Sequence, residues 1–106
     1  MKEETIKKIL NFRDSRDWKQ YHSGKDLSIS IALEASELLE IFQWSKEEVD
    51  KLDKLENIKE ELADVLMYCY MLADYYNLDV DEIICEKLIK NLKKYPDGEK
   101  INLRNK

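Results

Sequence analysis

Apolar residues recur at helical spacing along most of the chain, and polar breaks divide that pattern into segments. The first segment, Glu3 to Arg16, places Ile6, Ile9 and Leu10 on one side, with Phe12 or Arg13 at its edge. A polar stretch follows, DWKQYHSGK, in which Gly24 interrupts the period and Trp18, Tyr21 and the single histidine, His22, gather. Asp26 is the predicted N-cap of a second helix that reaches Gln43 or Trp44. There Leu27, Ile31, Leu38 and Phe42 trace one face, while Ile29, Leu33 and Ile41 occupy others. A helix apolar most of the way round belongs at the centre of a fold.

Ser45 to Glu48 reads as a capping box that restarts a helix, and Asn57 to Glu60 reads as another. The pattern leaves open whether the helix breaks near Asn57 or runs on from Lys46. From Ile58 to Tyr76 the periodicity is strong: Leu62, Val65, Leu66, Cys69, Leu72 and Ala73 form one face, and Met67, Tyr70 and Met71 lie on another. Two apolar faces in so short a chain call for a second subunit, or for a small bundle that covers both. Asp79 to Glu82 gives a third capping signal. The last helix turns Ile83, Ile84, Leu88 and Leu92 toward the core and ends at Pro96 and Gly98. Residues 1–96 are thus read as one domain and residues 97–106 as a loosely ordered tail.

Two glycines and one proline in 106 residues, with abundant Leu, Ile, Glu and Lys, point to an all-α protein. A net charge of −5 argues against a nucleic-acid polymer or an anionic membrane as partner. Free nucleotides stay open, because a metal ion can reverse the local sign of a site. Cys69 and Cys85 form no CxxC, and Cys69 reads as a small core residue. The opening MKEETIKKIL has no secretory leader pattern and no run is long enough to span a membrane, so a reduced, cytoplasmic setting is expected.

The candidate chemistry lies in two acidic pairs, Glu34 with Glu37 and Glu61 with Asp64. Each is spaced i,i+3, one helical turn apart on one face, and each sits in the most apolar part of its helix. Such pairs are common on solvated faces, but no basic residue in either stretch compensates these. Carboxylates shed hydration at a cost of several kcal/mol unless something pairs with them. Oxygen-only ligands suit Mg²⁺ or Mn²⁺, with phosphate oxygens and water completing the shell. In the last helix Lys87, Asn91 and Lys94 form a polar stripe that either reaches a phosphate chain or complements the helix dipole.

Four ordered blocks then resemble a known family: RDW-x-Q-Y-H from Arg16, E-x-x-E-L-x-E-x-F-Q-W from Glu34, E-E-L-A-D-V-L-x-Y from Glu60, and K-x-x-x-N-x-x-K-Y-P from Lys87. They are similar to the MazG-like all-α nucleoside triphosphate pyrophosphohydrolases, closest to the dCTP pyrophosphatase branch. The resemblance implies a four- to five-helix MazG-like bundle completed by oligomerisation, as a homodimer or homotetramer. It implies Mg²⁺-dependent hydrolysis of a dCTP-like or modified triphosphate to monophosphate and pyrophosphate, a house-cleaning of nucleotide pools. It assigns Glu34, Glu37, Glu61 and Asp64 to the metal, and Trp18 and Trp44 to the base. Tyr68, Lys87, Asn91, Lys94 and Tyr95 fall to the substrate, with His22 in the matching loop. Two positions depart: Leu33 stands where the family signature opens with an acid, and Ile9 where vertebrate dCTP pyrophosphatases carry a histidine.

On this reading Glu34 or Glu37 takes the proton of the attacking water. Two rivals are weighed. A di-iron carboxylate bundle needs ExxH motifs that a single loop histidine cannot supply. A non-enzymatic acidic helical module for dimerisation or protein interaction would gain no stability from Mg²⁺ and nucleotide.

Overall fold

The computed structural model describes residues 2–43 and 54–96, which are all-α. In those residues α1 (Glu3–Ser15), α2 (Gly24–Gln43), α3 (Leu55–Tyr75) and α4 (Val80–Lys94) follow one another, with a 3₁₀ turn at Trp18–Tyr21 between the first two. Glu3 and Glu4 in the first turn of α1, and Arg13 in its last, match the signs of the helix dipole. Asp17 then adopts a left-handed φ of 54° and redirects the chain into the 3₁₀ turn. Aspartate tolerates that region better than most side chains.

The start of α2 differs from the expected one. Ser23 is the cap: its Oγ accepts from the Asp26 N–H at 3.0 Å and donates to the Asp26 carboxylate at 3.0 Å. Asp26 is therefore the third residue of the helix, because a serine upstream captures the amide first. Asn57 does not open a helix either. It lies inside α3, which runs unbroken from Leu55. Packing against α2 holds that turn helical whatever cap the local sequence offers. Trp44 and the Ser45–Glu48 capping box fall outside the described residues. At its far end α3 closes through Asn77, left-handed at φ 54°, with the Leu78 N–H bonded to the Ala73 carbonyl at 2.8 Å. Asp79 caps α4 as predicted, accepting from the Glu82 N–H at 3.0 Å.

The core is formed by Ile9, Leu27, Tyr70 and Met71, with Ile6, Met67, Tyr68, Leu72 and Val80 packed against it. Leu27 is its most enclosed member, at 1% exposure. The face of α3 that enters this core carries Met67, Tyr70 and Met71, whereas Leu62 and Leu66 remain exposed. Of the other face, Leu72 packs against the core and Ala73 is buried, so only its N-terminal half is left uncovered in the single chain. The expectation for α4 also fails within one chain. Ile83, Ile84, Leu88 and Leu92 are exposed, because α4 touches the other helices only sparsely. Phe42, Ile29 and Leu33 of α2 are exposed too.

One charge enters the core region. Arg13, 4% exposed, donates from Nη1 to Asp74 at 2.7 Å and from Nε to Asp14 at 2.8 Å. The Asp14 hydrogen bond is the main cause that raises the guanidinium pKa, with Asp74 adding to it against the effect of burial. The pair to Asp74 ties the end of α1 to the end of α3.

Urea denaturation checks this core. Leu27→Ala is expected to cost about 3 kcal/mol through lost burial and a residual cavity. Arg13→Ala should cost about 2 kcal/mol by stripping two charge-assisted hydrogen bonds from Asp14 and Asp74. Equal, negligible losses at both positions would contradict the placement of the core.

Candidate functional site

The long contact between α2 and α3 sets the register of the acids. Glu34 and Asp64 line one cavity together, and Glu37 and Glu61 line another. One turn forward along α2 thus meets one turn back along α3, so the two helices run antiparallel and their acidic stripes face each other. Carboxylate oxygens of Glu34, Glu61 and Asp64 lie within 4.8 Å of one another. Glu37 completes the group from a more exposed position, its carboxyl close enough to hydrogen-bond to Glu34 and Glu61.

The electrostatics follow from the crowding. Hydrogen bonding to Glu37 is the largest cause that raises the Glu34 carboxyl, followed by burial and by the fields of Glu37, Asp64 and Glu61, to about 7. Glu61 is raised first by burial, then by Glu37. Each of the two also presents a buried oxygen, Oε2, without a hydrogen-bond partner. Buried acceptors without donors are costly, and carboxylates this close cannot all ionise cheaply. A hard divalent cation removes both penalties at once, and the donor set is oxygen throughout. The residues therefore fit a Mg²⁺-type ion.

On one side of the acids is an aromatic cleft of about 160 Å³, lined by Phe12, Trp18, Met67, Tyr68 and Met71 besides Glu34 and Asp64. Phe12 and Trp18 meet edge to face, with ring centroids 5.4 Å apart, and the Arg16 guanidinium lies 3.7 Å from the Phe12 centroid. The Tyr68 hydroxyl is held protonated by burial and by the fields of Glu34 and Asp64. On the other side a polar cavity of about 460 Å³ is lined by Glu37, Glu40, Ile41, Lys54, Asn57 and Glu61.

Of the residues singled out from sequence, the fold brings together Glu34, Glu37, Glu61, Asp64, Trp18 and Tyr68. His22 lines neither cavity. It sits at the end of the 3₁₀ turn, where burial and Arg13 lower its pKa against the pull of Asp26. Lys87, Asn91, Lys94 and Tyr95 also line neither cavity, and the Lys94 ammonium lies 5.5 Å from the Tyr95 ring centroid. Sequence reading missed Phe12, Met67 and Met71 as cleft residues, and Lys54, Asn57 and Glu40 as lining of the polar cavity. Met67 and Met71 carried a signal, their place on the second apolar face of α3; Lys54 carried none.

Comparison with known proteins agrees with this geometry. The MazG-like family model matches residues 29–106. Rat and human dCTP pyrophosphatase 1 are each 30% identical over 99 residues, covering 88% of this chain and 58% of theirs. The chain thus spans less than two thirds of the length of these curated relatives. The crystal structure of a pyrophosphatase from Archaeoglobus fulgidus superposes with a TM-score of 0.81 at 41% identity, covering 90% of this chain and 92% of that one. Four carboxylates converging from two antiparallel helices, and a family match across most of the sequence, lead to one conclusion: the chain belongs to the MazG-like family.

Proposed function

We propose that this protein is a Mg²⁺-dependent nucleoside triphosphate pyrophosphohydrolase, with Mn²⁺ as a workable substitute. Its substrate would be a dCTP-like or modified (deoxy)nucleoside triphosphate, and its products the monophosphate and pyrophosphate. The observation that carries this is the junction of the acid quartet with the aromatic cleft: Glu34 and Asp64 line a cavity whose other walls are Phe12, Trp18, Met67, Tyr68 and Met71. The names of the relatives, dCTP pyrophosphatase and pyrophosphatase, support the same class of reaction.

Glu34, Glu37, Glu61 and Asp64 would hold the metal, which when bound neutralises the polyphosphate and acidifies a water. Trp18 would offer a ring face to the base, an interaction worth about 1–3 kcal/mol and tolerant of base identity. Trp44, outside the described residues, is proposed for the same duty. Glu34 or Glu37 accepts the proton of the attacking water as its oxygen bonds to phosphorus. The bridge between the α- and β-phosphates then breaks.

A homodimer or homotetramer is part of the reading. α4 presents Ile83, Ile84, Leu88, Ile89 and Leu92 to solvent in the single chain, Leu92 at 61% exposure. An apolar stripe on a helix that packs sparsely against its own chain is the signature of a subunit interface. In that assembly Lys87, Asn91, Lys94 and Tyr95 would face a substrate from a helix that does not approach the acids closely in its own chain. No helix among the described residues is long and apolar enough to cross a membrane, and neither Cys69 nor Cys85 is in a disulfide. A reduced, cytoplasmic setting is part of the same proposal.

Glu37→Gln and Asp64→Asn are each expected to lower Mg²⁺-dependent pyrophosphate release from dCTP at least 100-fold while leaving the circular dichroism spectrum unchanged. Wild-type rates in either variant would refute the assignment. A chain that binds neither Mg²⁺ nor nucleotide would instead be the interaction module.

The raised Glu34 carboxyl fixes the sign of a pH effect. Its folded value, about 7, lies above its ordinary 4.5, so folding is favoured most where the group is protonated. That contribution is complete below about pH 4.5 and is lost as pH rises through about 7. The metal-free protein is therefore expected to lose melting temperature between about pH 5 and 7.5, and saturating Mg²⁺ should abolish the slope. A metal-free melting temperature that rises over this range would count against the crowded quartet.

Sedimentation tests the assembly. Leu88→Glu combined with Leu92→Glu should convert an oligomer to monomer, whereas an already monomeric wild type would exclude the interface.

A further inference from the structure

Arg16 opens the first of the four sequence blocks, RDW-x-Q-Y-H, and the site described above gives it no role. It is the C-terminal cap residue of α1. Its Nη1 donates to the Phe12 carbonyl at 3.3 Å and to Ser15 Oγ at 3.1 Å, and Ser15 Oγ donates to the same carbonyl at 3.0 Å. A basic side chain on the last free carbonyls is an ordinary way to end a helix. The guanidinium does more than that. It lies over the Phe12 ring, 3.7 Å from the centroid, and among the described residues no carboxylate pairs with it.

Phe12 has need of such a contact. It is 41% exposed, so burial alone does not fix its ring. It also stands between two cavities. On one side is the aromatic cleft, where it meets Trp18 edge to face at 5.4 Å. On the other is a largely apolar cavity of about 400 Å³, walled by Ile9, Ala63, Leu66 and Met67 besides Phe12 itself. A phenyl ring with apolar space on both sides can change rotamer at little cost in burial, and doing so would take it off Trp18. Asp17, left-handed at φ 54°, is the one residue between Arg16 and Trp18, and the chain reverses there so that guanidinium and indole return to the same ring. A planar cation stacked on an aromatic face selects the rotamer that keeps that face beneath it.

We propose that Arg16 is a positioning residue for the base: it acts through Phe12, holding that ring against Trp18 and so keeping the aromatic wall of the cleft in place. The role rests on the cleft being the base site, as assigned above, and leaves the acid quartet untouched.

Steady-state kinetics with dCTP and Mg²⁺ tests it. Arg16→Ala is expected to raise KM about threefold with kcat little changed, the pattern of lost binding without lost chemistry. Arg16→Lys, which keeps a cation for the ring, should recover part of that loss. Arg16→Gln, which can still donate to the Phe12 carbonyl but carries no charge, should not. In a Phe12→Ala background Arg16→Ala should raise KM no further, because the ring it acts through is gone. An unchanged KM, full recovery with Arg16→Gln, or additive losses in the double variant overturns the proposal. Acrylamide quenching gives a readout that needs no turnover: in a Trp44→Phe background Trp18 is the only tryptophan, and Arg16→Ala should leave it more accessible. Greater quenching in a protein that hydrolyses no nucleotide removes the reaction and keeps the positioning contact. Unchanged quenching and unchanged KM in a working hydrolase remove the contact and keep the reaction.

Discussion

Mutual repulsion among four carboxylates, held against one another by the packing of α2 on α3, is the constraint around which this protein is built. The apolar residues that bring the two helices together also force Glu34, Glu61 and Asp64 within 4.8 Å and place Glu37 beside them. Folding thus creates an electrostatic penalty at the same contact that supplies hydrophobic stabilisation. The raised Glu34 carboxyl and the buried, unpartnered oxygens of Glu34 and Glu61 are direct signs of that penalty. A cation held there would convert it into binding free energy, because the helices are already brought into position without the ion.

Around that centre the elements divide the work. The 3₁₀ turn and the end of α1 bring Trp18 and Phe12 over one side of the quartet. Arg13, joined to Asp14 and Asp74, fixes where α1 ends relative to α3 and so where the aromatic wall begins. The first turn of α3 walls the other side with Lys54 and Asn57. The two sides of the acids are chemically unlike, one aromatic and the other polar, with Glu37, Glu40, Lys54, Asn57 and Glu61 on its wall.

The exposed apolar stripe of α4 belongs to the same economy of a small chain. A chain of 106 residues has little interior, and a helix that is half apolar cannot always be covered by its own neighbours. Here Met67, Tyr70 and Met71 of α3 enter or adjoin the core, while Leu62 and Leu66 of α3 and Leu88 of α4 are exposed in the single chain.

Much of this was legible in the residues themselves. Scarce glycine and proline and 3.6-residue periodicity dictated an all-helical chain, and the Asp79 cap of α4 was readable because capping is a local hydrogen bond between near neighbours. The i,i+3 spacing of the two acidic pairs determined that each pair would share a helix face. Their convergence was beyond the sequence alone, since it depends on how α2 and α3 align over more than twenty intervening residues. The same holds for how far each apolar face of α3 is covered: Leu62 and Met67 are equally hydrophobic candidates, and only the packing of the other helices left Leu62 exposed while Met67 joined the core. Ser23 displaced Asp26 as a cap through a local hydrogen bond, whereas Asn57 was drawn into the helix interior because tertiary packing outweighs a preference worth about 1 kcal/mol. Lys54 lines the polar cavity for a similar reason, placed there by packing and by no pattern in its neighbourhood. Local bonds and periodic burial were written in the order of the amino acids; distances between helices, and hence the site, came from how those helices packed.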